Sequence, residues 1–132
     1  MNLTTVRQGL ATALDTISGL RVFDYVPDNA PAPAAIVEPL EVTYDQAMNN
    51  GLIKFKSYIT IVVARMSDRS SQDRVDAYVD PTGATSVRAA IETDRTLGGA
   101  CSTLNVIGAQ PRSVTMAGVE YNAYRFEVDI YG

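Results

Sequence analysis

Apolar residues recur along this chain with two periods, and the changes between them mark out its elements. Across residues 2–18, Leu3, Val6, Leu10, Ala13, Leu14 and Ile17 fall three and four positions apart, the spacing of an amphipathic helix. Asn2 or Thr4 can cap its first turn, and Gly19 stops it. Gly9 lies inside this helix at a cost of about 1 kcal/mol against alanine, a cost that a close packing contact can justify. Residues 21–26 then read as a first strand anchored by Val22 and Phe23.

Three prolines within residues 27–34 (PDNAPAPA) favour an extended, polyproline-like loop. Extended structure resumes over residues 35–44. There Ile36, Leu40, Val42 and Tyr44 share one parity, Glu41 and Thr43 take the other, and Pro39 marks an edge or a bulge. Residues 45–51 are rich in turn formers, ending in Asn50-Gly51. The strongest strand follows over residues 52–65. Ile53, Phe55, Ile59, Ile61 and Val63 form one face, while Val62 and Ala64 make the other face apolar near its end. Such a strand is central in its sheet or lies under a partner subunit. With the preceding strand it forms a hairpin with a protruding tip.

Residues 67–71 are polar and can cap a helix over 72–79, whose stripe is Val75, Tyr78 and Val79. Pro81 ends that helix by pushing Asp80 out of the α region. Thr85 or Ser86 caps a second helix reaching about residue 95, and Gly98-Gly99 supplies a left-handed stop. Residues 103–109 and 112–116 read as two short strands separated by Pro111. Ala117-Gly118 turns the chain into a last strand over 120–131. In it Tyr124, Phe126, Val128 and Ile130 alternate with Arg125, Glu127 and Asp129. Helix, strands, two helices, strands is the pattern of an α+β fold, a mostly antiparallel sheet with about three helices packed on one face.

At 132 residues the chain is expected to form a single domain, spanning 1–132, with one modest core. Its longest apolar run, near residues 59–64, is far too short to span a bilayer, and its first residues lack the pattern of a secretory signal. No membrane partner is expected. A net charge of −4 weighs against a dedicated nucleic-acid binder but suits a surface past which DNA slides. Cys101 is the single cysteine and histidine is absent, which removes intrachain disulfides, cysteine zinc sites and every Ser-His or Cys-His nucleophile.

Little remains for chemistry. The carboxylate pairs Asp73 with Asp76 and Glu92 with Asp94 flank no apolar run that would raise a pKa, and they read as solvated helix faces. Arg88 and Glu92 are spaced for a helix-surface ion pair. No Walker or dinucleotide-binding pattern is present. We therefore expect no catalytic residues, no metal, no cofactor and no enzymatic activity. Five of the seven tyrosines (Tyr44, Tyr58, Tyr121, Tyr124 and Tyr131) fall on the expected strands, lining the sheet or meeting a partner. Lys54, Lys56, Arg65 and Arg69 make the densest basic cluster, a protected strand face or a contact for an acidic partner.

The run Val75-Asp76-Ala77-Tyr78-Val79-Asp80-Pro81, then Gly83, then Ser86-Val87-Arg88-Ala89-Ala90-Ile91-Glu92, then Leu97-Gly98-Gly99 resembles the tail-terminator proteins of long-tailed bacteriophages, especially those of actinobacterial siphophages. The opening helix with Gly19-Leu20, Pro33-Ala34-Ala35, and the Gly-Val-Glu-Tyr before the last strand extend the resemblance over most of the chain. It implies a structural virion protein at the tail–neck junction, assembled in the bacterial cytoplasm. Six copies would form a ring that caps the tail tube, ends its polymerisation and joins the tail to the neck of the head. The alternative is a head-completion or neck stopper protein between portal and tail. Partners are then the chain itself as a homo-hexamer, the tail tube protein and a neck protein, with DNA passing through the lumen without specific binding. Six copies at −4 each would give that ring a charge of −24. The hairpin tip, with Asp45, Gln46, Asn49 and Asn50, and the basic residues Lys54, Lys56, Arg65 and Arg69 are the expected interface.

Overall fold

The computed structural model describes residues 2–17, 19–23, 33–44, 53–65, 71–83, 85–116 and 118–131. Its elements are α1 (Leu3–Leu14), β1 (Arg21–Phe23), β2 (Ala34–Val37), β3 (Glu41–Thr43), β4 (Lys54–Arg65), α2 (Ser71–Val79), α3 (Val87–Glu92), β5 (Thr103–Met116) and β6 (Val119–Tyr131). The fold is α+β, as the pattern of elements implies. A six-stranded sheet runs β1-β2-β4-β6-β5, with β3 paired to β4 beside β2. Every pairing is antiparallel except β1 with β2.

The helices cover one face. Val6, Leu10 and Leu14 of α1, Val75 of α2, and Val87 and Ile91 of α3 meet Val37, Phe55, Ile59, Ile61, Phe126, Val128 and Ile130 of the sheet in one buried cluster. α1 lies over β1 and β2, α2 over β4 and β6, and α3 over β5. Removing the Phe126 ring from this cluster would cost about 3–5 kcal/mol in transfer and cavity terms.

β4 is central, as its two apolar faces imply. The second face does not await another subunit at Val62. That side chain is fully buried within the chain by Ala34, Ile36 and Ala123, with Phe23, Val114 and Tyr121 packed alongside. Ile36 therefore faces away from Leu40 and Val42, contrary to their shared parity in the sequence. The cause is an extra residue around Pro39: Val37 lies opposite Ile59, but Glu41 lies opposite Lys56, so four steps along this segment match three along β4. The proline thus marks a bulge that inverts the pleat between β2 and β3.

Residues 103–116 form one strand, not two. Pro111 sits within β5, opposite Tyr124. Among the described residues β5 ends the sheet and bonds only to β6, so a position whose N–H would point outward accepts proline without loss of a ladder bond. The real irregularity is a bulge between Val106 and Gly108, which leaves Ile107 at 56% exposure. β1 is described over Arg21–Phe23, and the remainder of the expected first strand, residues 24–26, lies outside the described residues.

Candidate functional site

α2 and α3 are joined by a break and followed by a turn whose polar residues all serve local structure. Ser86 is the N-cap of α3. Its hydroxyl accepts from the Ala89 N–H at 3.2 Å and donates to the Asp80 carbonyl, tying the end of α2 to the start of α3. Asp94 accepts from the Thr96 hydroxyl at 2.6 Å, the Thr96 N–H at 3.0 Å and the Gly98 N–H at 2.9 Å. These bonds, the Thr96 hydroxyl foremost, hold the Asp94 carboxyl below its ordinary pKa. They also fold the chain so that Leu97 and Gly98 adopt φ of 50° and 70°. An apolar groove of about 490 Å³ lies between this turn and α1, walled by Gly9, Ala13, Ala90 and Leu97. Among the described residues its one charged wall residue is Asp94, already satisfied by the turn.

On the sheet face away from the helices, beside the apolar cluster around Val62, lies a lattice of cross-strand charges. Lys54 Nζ lies 3.3 Å from Asp129, Lys56 Nζ 2.6 Å from Glu127, and Arg125 Nε 3.3 Å from Glu38. The Arg125 guanidinium stacks 3.9 Å above the Tyr58 ring, and Lys54 stands 5.8 Å from the Tyr131 ring. The hydrogen bond that Lys56 donates to the Glu127 carboxylate raises the Lys56 pKa, opposed by partial desolvation. Asp129 is only 9% exposed, and its Oδ1 has no hydrogen-bond partner among the described residues.

The expected interface residues fall into three groups. Asp45, Gln46, Asn49, Asn50 and Arg69 lie outside the described residues. Arg65 ends β4 opposite Tyr121, and its side chain also lies outside them. Lys54 and Lys56 stand on the charged face, each with a carboxylate of β6 in its own chain. The base of the hairpin is in view: Thr43 pairs with Lys54, and the flanking Tyr44 and Ile53 are 71% and 36% exposed. Of the strand tyrosines, Tyr58 and Tyr131 support cations, Tyr121 and Tyr124 pack on the two apolar clusters, and Tyr44 alone projects.

The first half of the open β5 edge is covered by side chains from the end of α3, a contact that the sequence pattern does not reveal. Glu92 Oε2 accepts from the Val106 N–H at 3.2 Å, and Arg95 donates to the Leu104 carbonyl at 3.1 Å and to Asn105 Oδ1 at 2.6 Å. Glu92 also pairs with Arg88 at 3.1 Å, as its spacing implies, and with Arg95 at 3.5 Å. Its acidic neighbour in sequence, Asp94, is committed to the turn, so the two carboxylates do not converge on a common point of chemistry. Asp73 and Asp76 are exposed on α2. Cys101 is buried, its thiol against the Arg95 carbonyl at 3.4 Å, and burial raises its pKa away from the reactive thiolate. Among the described residues no group of three His, Cys, Asp or Glu side chains is placed to hold a metal ion. No helix among them is long and apolar enough to cross a membrane. Searches of protein-family models and of curated proteins return no match for this chain.

Proposed function

We propose that this chain is the subunit of a ring that caps a bacteriophage tail tube, ends its polymerisation and joins the tail to the head–neck connector. The observation that carries self-association is the asymmetry of the sheet's two sides. Beyond β3, on the β2 side of β4, Tyr44 projects at 71% exposure; at the opposite end of the sheet, Ile107 projects from the β5 bulge at 56%. Two unlike apolar projections on opposite sides suit a heterologous contact, in which one patch meets a different patch on the next copy and the rotation closes a ring. The tail-capping role comes from the resemblance, which is densest over residues 75–99. In support, that run is one structural unit in which Ser86, Asp94, Leu97 and Gly98 each have a local architectural task.

Electron microscopy of purified chain mixed with preformed tail tubes tests this reading. One added ring at a single tip of each tube is the expected result. Binding to DNA-filled heads without binding to tubes would assign the chain to the neck stopper instead.

A further inference from the structure

β5 is an edge strand, and its outward backbone groups are a template for another strand. They are managed in two ways. Beyond Val106 the edge is irregular, with the bulge at Ile107 and the missing N–H of Pro111. The regular stretch is Thr103 to Val106, and there two of the four outward groups of Leu104 and Val106 are occupied by side chains. Val106 N–H is held by Glu92 and the Leu104 carbonyl by Arg95. Glu92 is itself fixed between Arg88 and Arg95.

From this geometry we propose that Glu92 and Arg95 form a guard that stands in for a seventh strand and prevents β5 from pairing with β5 of a second copy. The second copy is the occupant that the register favours. Leu104 and Val106 both turn their peptide groups outward. In an antiparallel pair centred on Asn105, Leu104 of one chain faces Val106 of the other, and each can donate to and accept from its opposite. Asn105 then faces itself at a non-hydrogen-bonded position, with Cα atoms about 4.5 Å apart. The guard competes for two of these groups, the Leu104 carbonyl and the Val106 N–H. This inference stands on the β5 edge alone and does not depend on the ring or on the phage role.

Oxidative crosslinking of the Asn105→Cys chain reads the pairing directly, because a disulfide forms only where two such positions meet. The parent chain, whose one thiol is the buried Cys101, is the control. Adding Glu92→Ala with Arg95→Ala to Asn105→Cys is expected to speed crosslinking about tenfold over the guarded chain, the change that freeing a hydrogen-bonding edge of this size gives. Arg95→Ala alone, at a side chain 47% exposed and so easily tolerated, is expected to give a smaller increase. Adding Val106→Pro to the unguarded chain removes an outward N–H that the ladder with β6 does not use, and is expected to abolish the gain. Equal crosslinking with and without the guard would overturn the proposal. So would a gain that survives Val106→Pro.

Discussion

Gly9 of α1 meets Leu97 of the turn after α3 so closely that a Cβ on Gly9 would stand 3.0 Å from the Leu97 Cβ. The Leu97 Cβ has little room to retreat, because that residue sits at φ 50° in a turn fixed by Asp94. Alanine at position 9 would gain about 1 kcal/mol of helix propensity, but the clash outweighs it. Gly9→Ala is therefore expected to destabilise the fold by about 1 kcal/mol, a fall in melting temperature of about 4 °C. With Leu97→Gly present, the obstructing Cβ is gone and Gly9→Ala should become stabilising. A double-mutant cycle in urea measures both, and a cost of Gly9→Ala unchanged by Leu97→Gly would dismiss the contact.

Ser86 carries two loads, as the α3 cap and as the donor to the Asp80 carbonyl. Ser86→Ala leaves both the Ala89 N–H and that carbonyl without their partner in a residue of 0% exposure. The expected loss is about 2 kcal/mol, seen as a lower urea midpoint at unchanged slope. A loss no larger than that of an exposed serine would show that the α2–α3 junction is held by packing alone.

The Asp94 turn makes stability depend on pH in a definite direction. Its carboxyl titrates lower in the folded chain than its ordinary 3.8, so its contribution is fully present above that value and is lost as pH falls through the folded pKa. Asp94→Ala should thus be less stable than the parent at pH 7, and the gap should narrow once pH drops below 3.8. Urea midpoints of both chains across this range are the measurement. A gap that stays constant would mean the carboxylate charge has no part in the turn.

The two lysines of the charged face should differ. Lys54 serves Asp129, a carboxylate with only 9% exposure. Lys54→Ala leaves that buried charge without its ion-pair partner, with the Lys56 cation opposite, itself held by Glu127, at an expected cost of about 2 kcal/mol. Lys56 and Glu127 have side chains 31% and 34% exposed, so water replaces the lost partner and Lys56→Ala should cost clearly less. Equal losses in denaturant titrations would show that Asp129 is solvated despite its burial.

Local chemistry is legible in the sequence; long-range register is not. The caps of α1 and α3 are readable to two candidates each, Asn2 or Thr4 and Thr85 or Ser86, of which the fold uses Asn2 and Ser86; the Pro81 stop and the Gly98 turn are readable too, because each is decided within a few residues. A glycine inside α1 signals a close contact at Gly9, but not its partner, Leu97, which lies far along the chain. Strict alternation puts Ile36 on the wrong face, because one extra residue at Pro39 inverts the pleat and the pattern has no means of detecting it. Pro111 reads as a strand break because the sequence does not show that β5 is an edge. At the candidate site, alternation correctly separates the charged and apolar faces of β6, while the lysine partners depend on the β4–β6 register. The guard on β5 has only a faint signal: Glu92 and Arg95, three apart at a helix end just before a strand.

The proposed function is that this chain stops a tail tube from growing and fixes it to a head. Electron microscopy of a lysate from phage whose gene for this chain is interrupted tests it most directly. The account predicts tubes of uncontrolled, excessive length, unattached to DNA-filled heads. Tubes of normal length firmly joined to heads would contradict it.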